Sequence, residues 1–148
     1  MYTRDYTVPR LLITSNFGRN WTARKLPGEV IDLAVDPKTP AHAFAVTDKG
    51  LLVTDDLARS WRPAGEATAV VWRAAGPLYV ADADGSIRAS EKGEGKGDIR
   101  GVLDSPAIEL SVGPRGELWA LSEDRVLRIS RDGGRTWKAR YRLREKDR

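Results

Sequence analysis

No cysteine occurs anywhere in these 148 residues. That excludes a disulfide framework and any thiolate metal site. Histidine is almost as scarce. His42 stands alone, with no second His and no Ser or Asp partner beside it in sequence, which argues against a zinc site or a catalytic triad. No apolar run approaches the roughly 20 residues that a membrane helix needs, so no membrane span is expected. The opening Met1-Tyr2-Thr3-Arg4-Asp5-Tyr6 lacks the apolar stretch of a signal peptide. The expectation is a cytoplasmic location if Met1 is the native start, and export if an N-terminal part is missing. No segment carries a 3.6-residue apolar period, so essentially no helix is predicted.

What is present suits a globular chain. Hydrophobic residues make up 41% and charged residues 31%, a balance that excludes disorder. The net charge of +4 is uneven. Residues 128–148 hold nine Lys/Arg against three Asp/Glu, so the last segment produces the basic pI and residues 1–127 carry a small negative balance.

The strongest pattern is a repeat. Ser130-Arg131-Asp132-Gly133-Gly134-Arg135-Thr136-Trp137 returns as Thr54-Asp55-Asp56-Leu57-Ala58-Arg59-Ser60-Trp61 and as Thr14-Ser15-Asn16-Phe17-Gly18-Arg19-Asn20-Trp21. The tryptophans fall at 21, 61 and 137, which is one interval of about 40 residues and then two. A worn copy, Ser90-Glu91-Lys92-Gly93-Glu94-Gly95-Lys96-Gly97, fills the gap. Ser/Thr and Asp side chains bond to nearby backbone and fix a turn. Gly admits a positive φ, which Ala58 tolerates less well. Each Trp offers a broad apolar face and one N–H, and is expected to pack in the core.

Between the repeats, short alternating runs read as strands. One unit gives Glu29–Val35, His42–Thr47, Gly50–Thr54 and Ser60–Arg62. The next gives Ala69–Arg73, Leu78–Ala81, Ser86–Ser90 and Ile99–Leu103. The third gives Ile108–Val112, Glu117–Ser122, Val126–Ser130 and Thr136–Leu143. Leu11–Thr14 and Asn20–Lys25 are the outer pair of an incomplete first unit, with Tyr2–Tyr6 a candidate strand before them. Repeats of four short strands describe an all-β propeller of about 3.5 to 4 antiparallel blades. The blade units run at about 1–28, 29–66, 67–105 and 106–144, with 145–148 a charged tail. An open arc exposes pairing edges and faces that proteins normally cover. Ring closure by two chains, by this chain alone, or by further blades of a longer protein all remain open. The absent first strand favours a homodimer or a part of a larger propeller.

These residues resemble the Asp-box, or BNR repeat, Ser-x-Asp-x-Gly-x-Thr-Trp. It occurs in the β-propellers of sialidases, sortilin-type receptors, xyloglucan hydrolases and photosystem assembly factors. The runs Leu33-Ala34-Val35-Asp36-Pro37 and Gly50-Leu51-Leu52-Val53-Thr54 are similar to bacterial Asp-box propellers. The resemblance implies that Thr14, Asn16, Gly18, Trp21, Thr54, Asp56, Trp61, Ser130, Asp132, Gly134, Thr136 and Trp137 are structural, in turns between the third and fourth strands. It also implies that Glu29, Asp48, Glu66, Asp82, Asp84, Asp104, Glu123 and Asp124 sit in turns lining the ligand face. Trp72, at the end of an inner strand, reads as packing or as a stacking platform for a sugar beside the central channel. Trp119 reads as core between blades.

No catalytic residue can be assigned. The Arg-Ile-Pro motif of sialidases is absent, and acids in turns ordinarily solvate loops. Asp82-Ala83-Asp84-Gly85 resembles part of a calcium loop. The matching slots Asp48-Lys49-Gly50 and Glu123-Asp124-Arg125 explain it as a hairpin turn. No metal and no cofactor is implied. The expected function is a non-catalytic binding or assembly module that presents inter-blade loops to a protein or glycan. The alternative is a glycoside hydrolase or exo-sialidase-like enzyme completed by a second chain or missing blades. In residues 137–144, Trp137, Ala139, Tyr141 and Leu143 alternate with Lys138, Arg140, Arg142 and Arg144, which predicts one buried and one basic face. That reads as a cation-guarded edge. Nucleic acid binding is not expected, because no recognition motif accompanies it.

Overall fold

The computed structural model describes residues 10–144. The candidate strand at Tyr2–Tyr6 and the tail at 145–148 lie outside the described residues. Fourteen strands and no helix are found among the described residues. β1 (Arg10–Ile13) pairs with β2 (Thr22–Lys25) as a two-stranded sheet. Three four-stranded antiparallel sheets follow, each in simple sequence order. The first complete blade holds β3 (Val30–Val35), β4 (Ala43–Thr47), β5 (Gly50–Thr54) and β6 (Arg62–Gly65). The middle blade holds β7 (Ala69–Trp72), β8 (Leu78–Ala81), β9 (Ser86–Ser90) and β10 (Asp98–Val102). The last blade holds β11 (Ala107–Val112), β12 (Leu118–Ser122), β13 (Val126–Ser130) and β14 (Lys138–Arg142). This is a partial β-propeller.

The blades pack face to face because their inner strands are apolar on both sides. The innermost strand β7 lies between β3 and β11. On β8, Leu78 and Val80 point toward Phe44, Val46 and Leu51 of the first blade. Tyr79 and Ala81 point the other way, toward Leu110, Leu118 and Ala120 of the last blade. A strand buried on both faces reads as a continuous hydrophobic run, as Leu78-Tyr79-Val80-Ala81 does. Phe44 is buried almost completely, and a side chain of that size contributes about 1.5–3 kcal/mol by leaving water. The inner strands β3 and β11 each bulge at the same slot, leaving Ile31 and Ile108 exposed.

Three details differ from the sequence reading. The fourth strands begin just after each Trp, at Thr22, Arg62 and Lys138, rather than one residue before it, because the turn extends through the indole. β14 is exposed along its whole length, Tyr141 at 52%, so its alternation marks no buried face. It is the outermost strand of the last described blade, and a bulge opposite Leu127 and Arg128 breaks its register. Trp21 is 57% exposed rather than buried. Its sheet contains only β1 and β2, so the inner strands that would cover the indole are not among the described residues.

Candidate functional site

The repeated turns share one bonding scheme. In the last copy the Gly134 N–H donates to Ser130 Oγ at 2.9 Å, and Ser130 Oγ–H donates to Asp132 Oδ1 at 2.8 Å. Asp132 also accepts the Thr136 N–H at 2.9 Å and the Thr136 hydroxyl at 2.5 Å. The Trp137 indole N–H donates to Gly134 O at 3.0 Å. Thr14, Asn16, Gly18, Asn20 and Trp21 repeat the scheme except for the side-chain hydroxyl bond, which Asn20 cannot make. Thr54, Asp56, Ala58 and Ser60 repeat all but its last bond. Even the worn copy keeps the Glu94 N–H to Ser90 Oγ bond at 2.9 Å. Hydroxyl donors, the Ser60 and Thr136 side chains first, hold Asp56 and Asp132 down to a pKa of about 2. These carboxylates build turns and face no cleft.

All eight candidate acids lie at the opposite end of the blades from the repeated turns, and they divide into two groups. Asp48 Oδ1 accepts the Glu29 N–H at 2.7 Å and ties two turns of the first blade together. Asp84 accepts the Ser86 N–H, the main cause of its lowered pKa. Asp82 grips Arg88 through both oxygens, at 2.6 and 2.7 Å. Asp124 grips Arg128 in the same way, at 2.9 and 2.6 Å. Arg128 bonding lowers the Asp124 pKa, and the two arginines are held further into their charged range. The second group is Glu29, Glu66, Asp104 and Glu123, whose side chains are exposed and accept no hydrogen bond among the described residues. Three of them, Glu29, Glu66 and Asp104, precede the innermost strand of successive blades.

Sequence reasoning missed the arginines Arg88, partly buried, and Arg128, buried. The signal was available in Ser86-Ile87-Arg88-Ala89-Ser90 and Val126-Leu127-Arg128-Ile129-Ser130, where Arg holds the same slot of the third strand. It also missed a partner for His42. Ala43 pairs with Thr54, so His42 falls opposite Asp55 one step beyond the ladder. Its Nδ1 meets the Asp55 carboxylate, which also binds Arg62 and has its pKa lowered mainly by that arginine. Its Nε2 lies 2.8 Å from Gly93 O. Among the described residues the imidazole bonds only Asp55 and Gly93 O, and so stitches two blades together.

Trp72 packs rather than stacks on a ligand. Its ring centroid lies 5.4 Å from His42 and 6.0 Å from Phe44, and it presses on Gly93, where an added Cβ would fall 2.3 Å from the indole. It sits at the end of the blades that carries the repeated turns, away from the eight acids. Trp119 shares a sheet face with Ile129, turned away from Leu118 and Ala120, and so lies outside the two cores. Among the described residues no group of three His, Cys, Asp or Glu side chains could hold a metal ion. A cleft of about 750 Å³ lies between the β1–β2 hairpin and the first complete blade. It exposes Leu33 and Val35, whose counterparts in the middle blade are covered by the blade before it.

No family model matches the chain, and no curated protein matches it. Solved structures do. YCF48 bound to a D1 peptide aligns with a TM-score of 0.64 at 16% identity, over 88% of this chain and 47% of its own. YCF48 from Cyanidioschyzon merolae aligns with a TM-score of 0.58 at 21% identity, over 77% of this chain and 38% of its own. An ancestral GH74 enzyme aligns with a TM-score of 0.64 at 15% identity, over 86% of this chain and 20% of its own. The chain thus spans less than half the length of each. At such identities the likeness establishes the fold, which is that of a β-propeller.

Proposed function

We propose that this chain is an Asp-box propeller module that binds a protein partner rather than transforming a substrate. The observation that carries this reading is the division of the turn carboxylates. Asp48, Asp82, Asp84 and Asp124 are consumed in fixing the turns, while Glu29, Glu66, Asp104 and Glu123 stand exposed on that fixed frame. Rigid display of charged turns serves recognition. A hydrolase would instead need two carboxylates facing one cleft. The similar YCF48 structure is described with a bound peptide, which supports protein over glycan as the partner class. The partner surface suited to these turns is cationic.

We further propose that a second copy, or further blades, completes the ring. Light scattering on the purified chain tests this: a mass near twice 16.4 kDa supports the two-chain ring, and a monomer refutes it. The binding reading is tested with immobilised basic and neutral peptide arrays. The wild type should retain basic peptides, and Glu66→Lys with Asp104→Lys should abolish retention without lowering Tm. Hydrolysis of a xyloglucan or sialoside substrate by the wild type would overturn the reading.

A further inference from the structure

At the repeated-turn end of the middle and last blades, four arginines converge on one concavity of about 670 Å³. Arg73 comes from the turn after β7, Arg115 from the turn after β11, Arg131 from the repeated turn after β13, and Arg140 from β14. None forms an ion pair among the described residues, whereas Arg62, Arg88, Arg100 and Arg128 each bind a carboxylate. The lining contains one acid, Glu117. Its Oε2 accepts the Arg115 N–H at 2.9 Å and its Oε1 lies 3.5 Å from the Trp119 indole nitrogen. Backbone N–H donors, its own first, lower its pKa, so it remains a carboxylate engaged in its turn.

Arg73 is held in place without a charged partner. A Cβ on Gly76 would fall 3.0 Å from Arg73 Cδ, and one on Gly116 would fall 2.3 Å from its Nη2. The stem therefore lies over one glycine and the guanidinium over the other, in the next blade. Gly116 also has φ +77°, which disfavours any side chain there. Gathering four cations around one hollow raises the local potential; Glu117, which attracts Arg115, offsets only one of the four charges.

The geometry points to a binding site for a small polyanion that carries phosphate- or sulfate-type groups beside an apolar ring or chain. Guanidinium forks match the oxygens of such groups two at a time. Trp119 and Ile129 supply an apolar wall. The volume lies in the range of small-ligand pockets. A nucleic acid backbone would need a long basic track; here the basic face of β14 runs only from Lys138 through Arg140 to Arg142, which acts on the Asp124 carboxylate, and the other end of the blades is acidic. This site is separate from the acidic turns and does not depend on them.

Titration calorimetry at 150 mM salt with tripolyphosphate, glucose 1,6-bisphosphate, sucrose octasulfate and hexaglutamate tests the proposal. At least one of the first three should bind, and the order between phosphate and sulfate probes assigns the source of the charged group. Arg115→Gln with Arg140→Gln, both at exposed positions, should weaken binding by about tenfold or more and leave Tm unchanged. Lys38→Gln with Lys49→Gln, outside the hollow, should leave binding unaltered. No binding by any phosphate or sulfate probe, equal loss in the two double variants, or tighter binding of hexaglutamate than of all three would each overturn it.

Discussion

Asp32 on β3 accepts the backbone N–H of Val70 on β7 at 2.9 Å, a hydrogen bond that crosses from one blade to the next. Its other oxygen accepts the Leu33 N–H at 2.8 Å. Val70 is buried, so its N–H has no access to water. Asp32→Ala should destabilise the chain by about 1–3 kcal/mol, the cost of leaving a buried donor unpaired. Urea unfolding at pH 7 measures this, and a change below about 0.5 kcal/mol would mean that the bond does not couple the blades. Burial, the largest cause, raises the Asp32 pKa above 3.8. The unfolded chain then ionises first, so this group withdraws stability as pH rises from the unfolded toward the folded value.

Ala58 and Trp61 show what glycine does in the repeated turn. Gly18 and Gly134 have φ of +83° and +89°, and both indoles reach the carbonyl of that residue. Ala58 is held at φ +60°, and the Trp61 Nε1 is buried without a partner. A Cβ confines the residue to the narrow left-handed well and turns its carbonyl away. Ala58→Gly should therefore stabilise the chain by about 1 kcal/mol, combining relief of φ strain with a restored hydrogen bond. A rise in urea midpoint at unchanged m-value is the expected result; a fall would refute this account.

Much of the fold was legible because its causes are local. Hydroxyl, Asp, Gly and Trp at fixed offsets build the turn from within eight residues, and the run Leu78-Tyr79-Val80-Ala81 declares its burial. What was not legible depends on neighbours distant in sequence. The alternation in β14 promises a buried face only if another blade covers it. The exposure of Trp21 follows from its place in a sheet that holds only β1 and β2 among the described residues. His42 meets Asp55 through hairpin register, and the hollow gathers Arg73, Arg115, Arg131 and Arg140 from four turns and strands, so no local motif could announce either.

Trp137 and Trp21 make the same hydrogen bond in different surroundings. Trp137 packs on the core between the middle and last blades, the cluster that holds Leu118 and Tyr79. Trp21 is more than half exposed. Trp137→Ala should cost about 3 kcal/mol, the low end for a large aromatic because the indole is only partly buried. Trp21→Ala should cost about 1 kcal/mol or less. Equal losses in thermal or urea unfolding would contradict the placement of the two indoles.

The acid limb of stability should be set in part by Asp56 and Asp132. Both have folded pKa values of about 2, well below the ordinary 3.8. A depressed folded pKa contributes stability that is fully present above the unfolded value and is lost as pH falls through the folded one. The window is therefore from about pH 4 down to pH 2. The first copy of the turn supplies its own control, since Asn16 keeps the bonds from the Thr14 hydroxyl and the Asn20 N–H without a titrating group, lacking only the side-chain hydroxyl bond. It also shows that an amide is accepted at this slot, so Asp56→Asn with Asp132→Asn should fold. The double variant should be less stable than the wild type at pH 7, and its Tm should fall less steeply between pH 4 and pH 2, so that the two curves converge at the acid end. Parallel curves through that window would show that these carboxylates do not carry the acid sensitivity of the propeller.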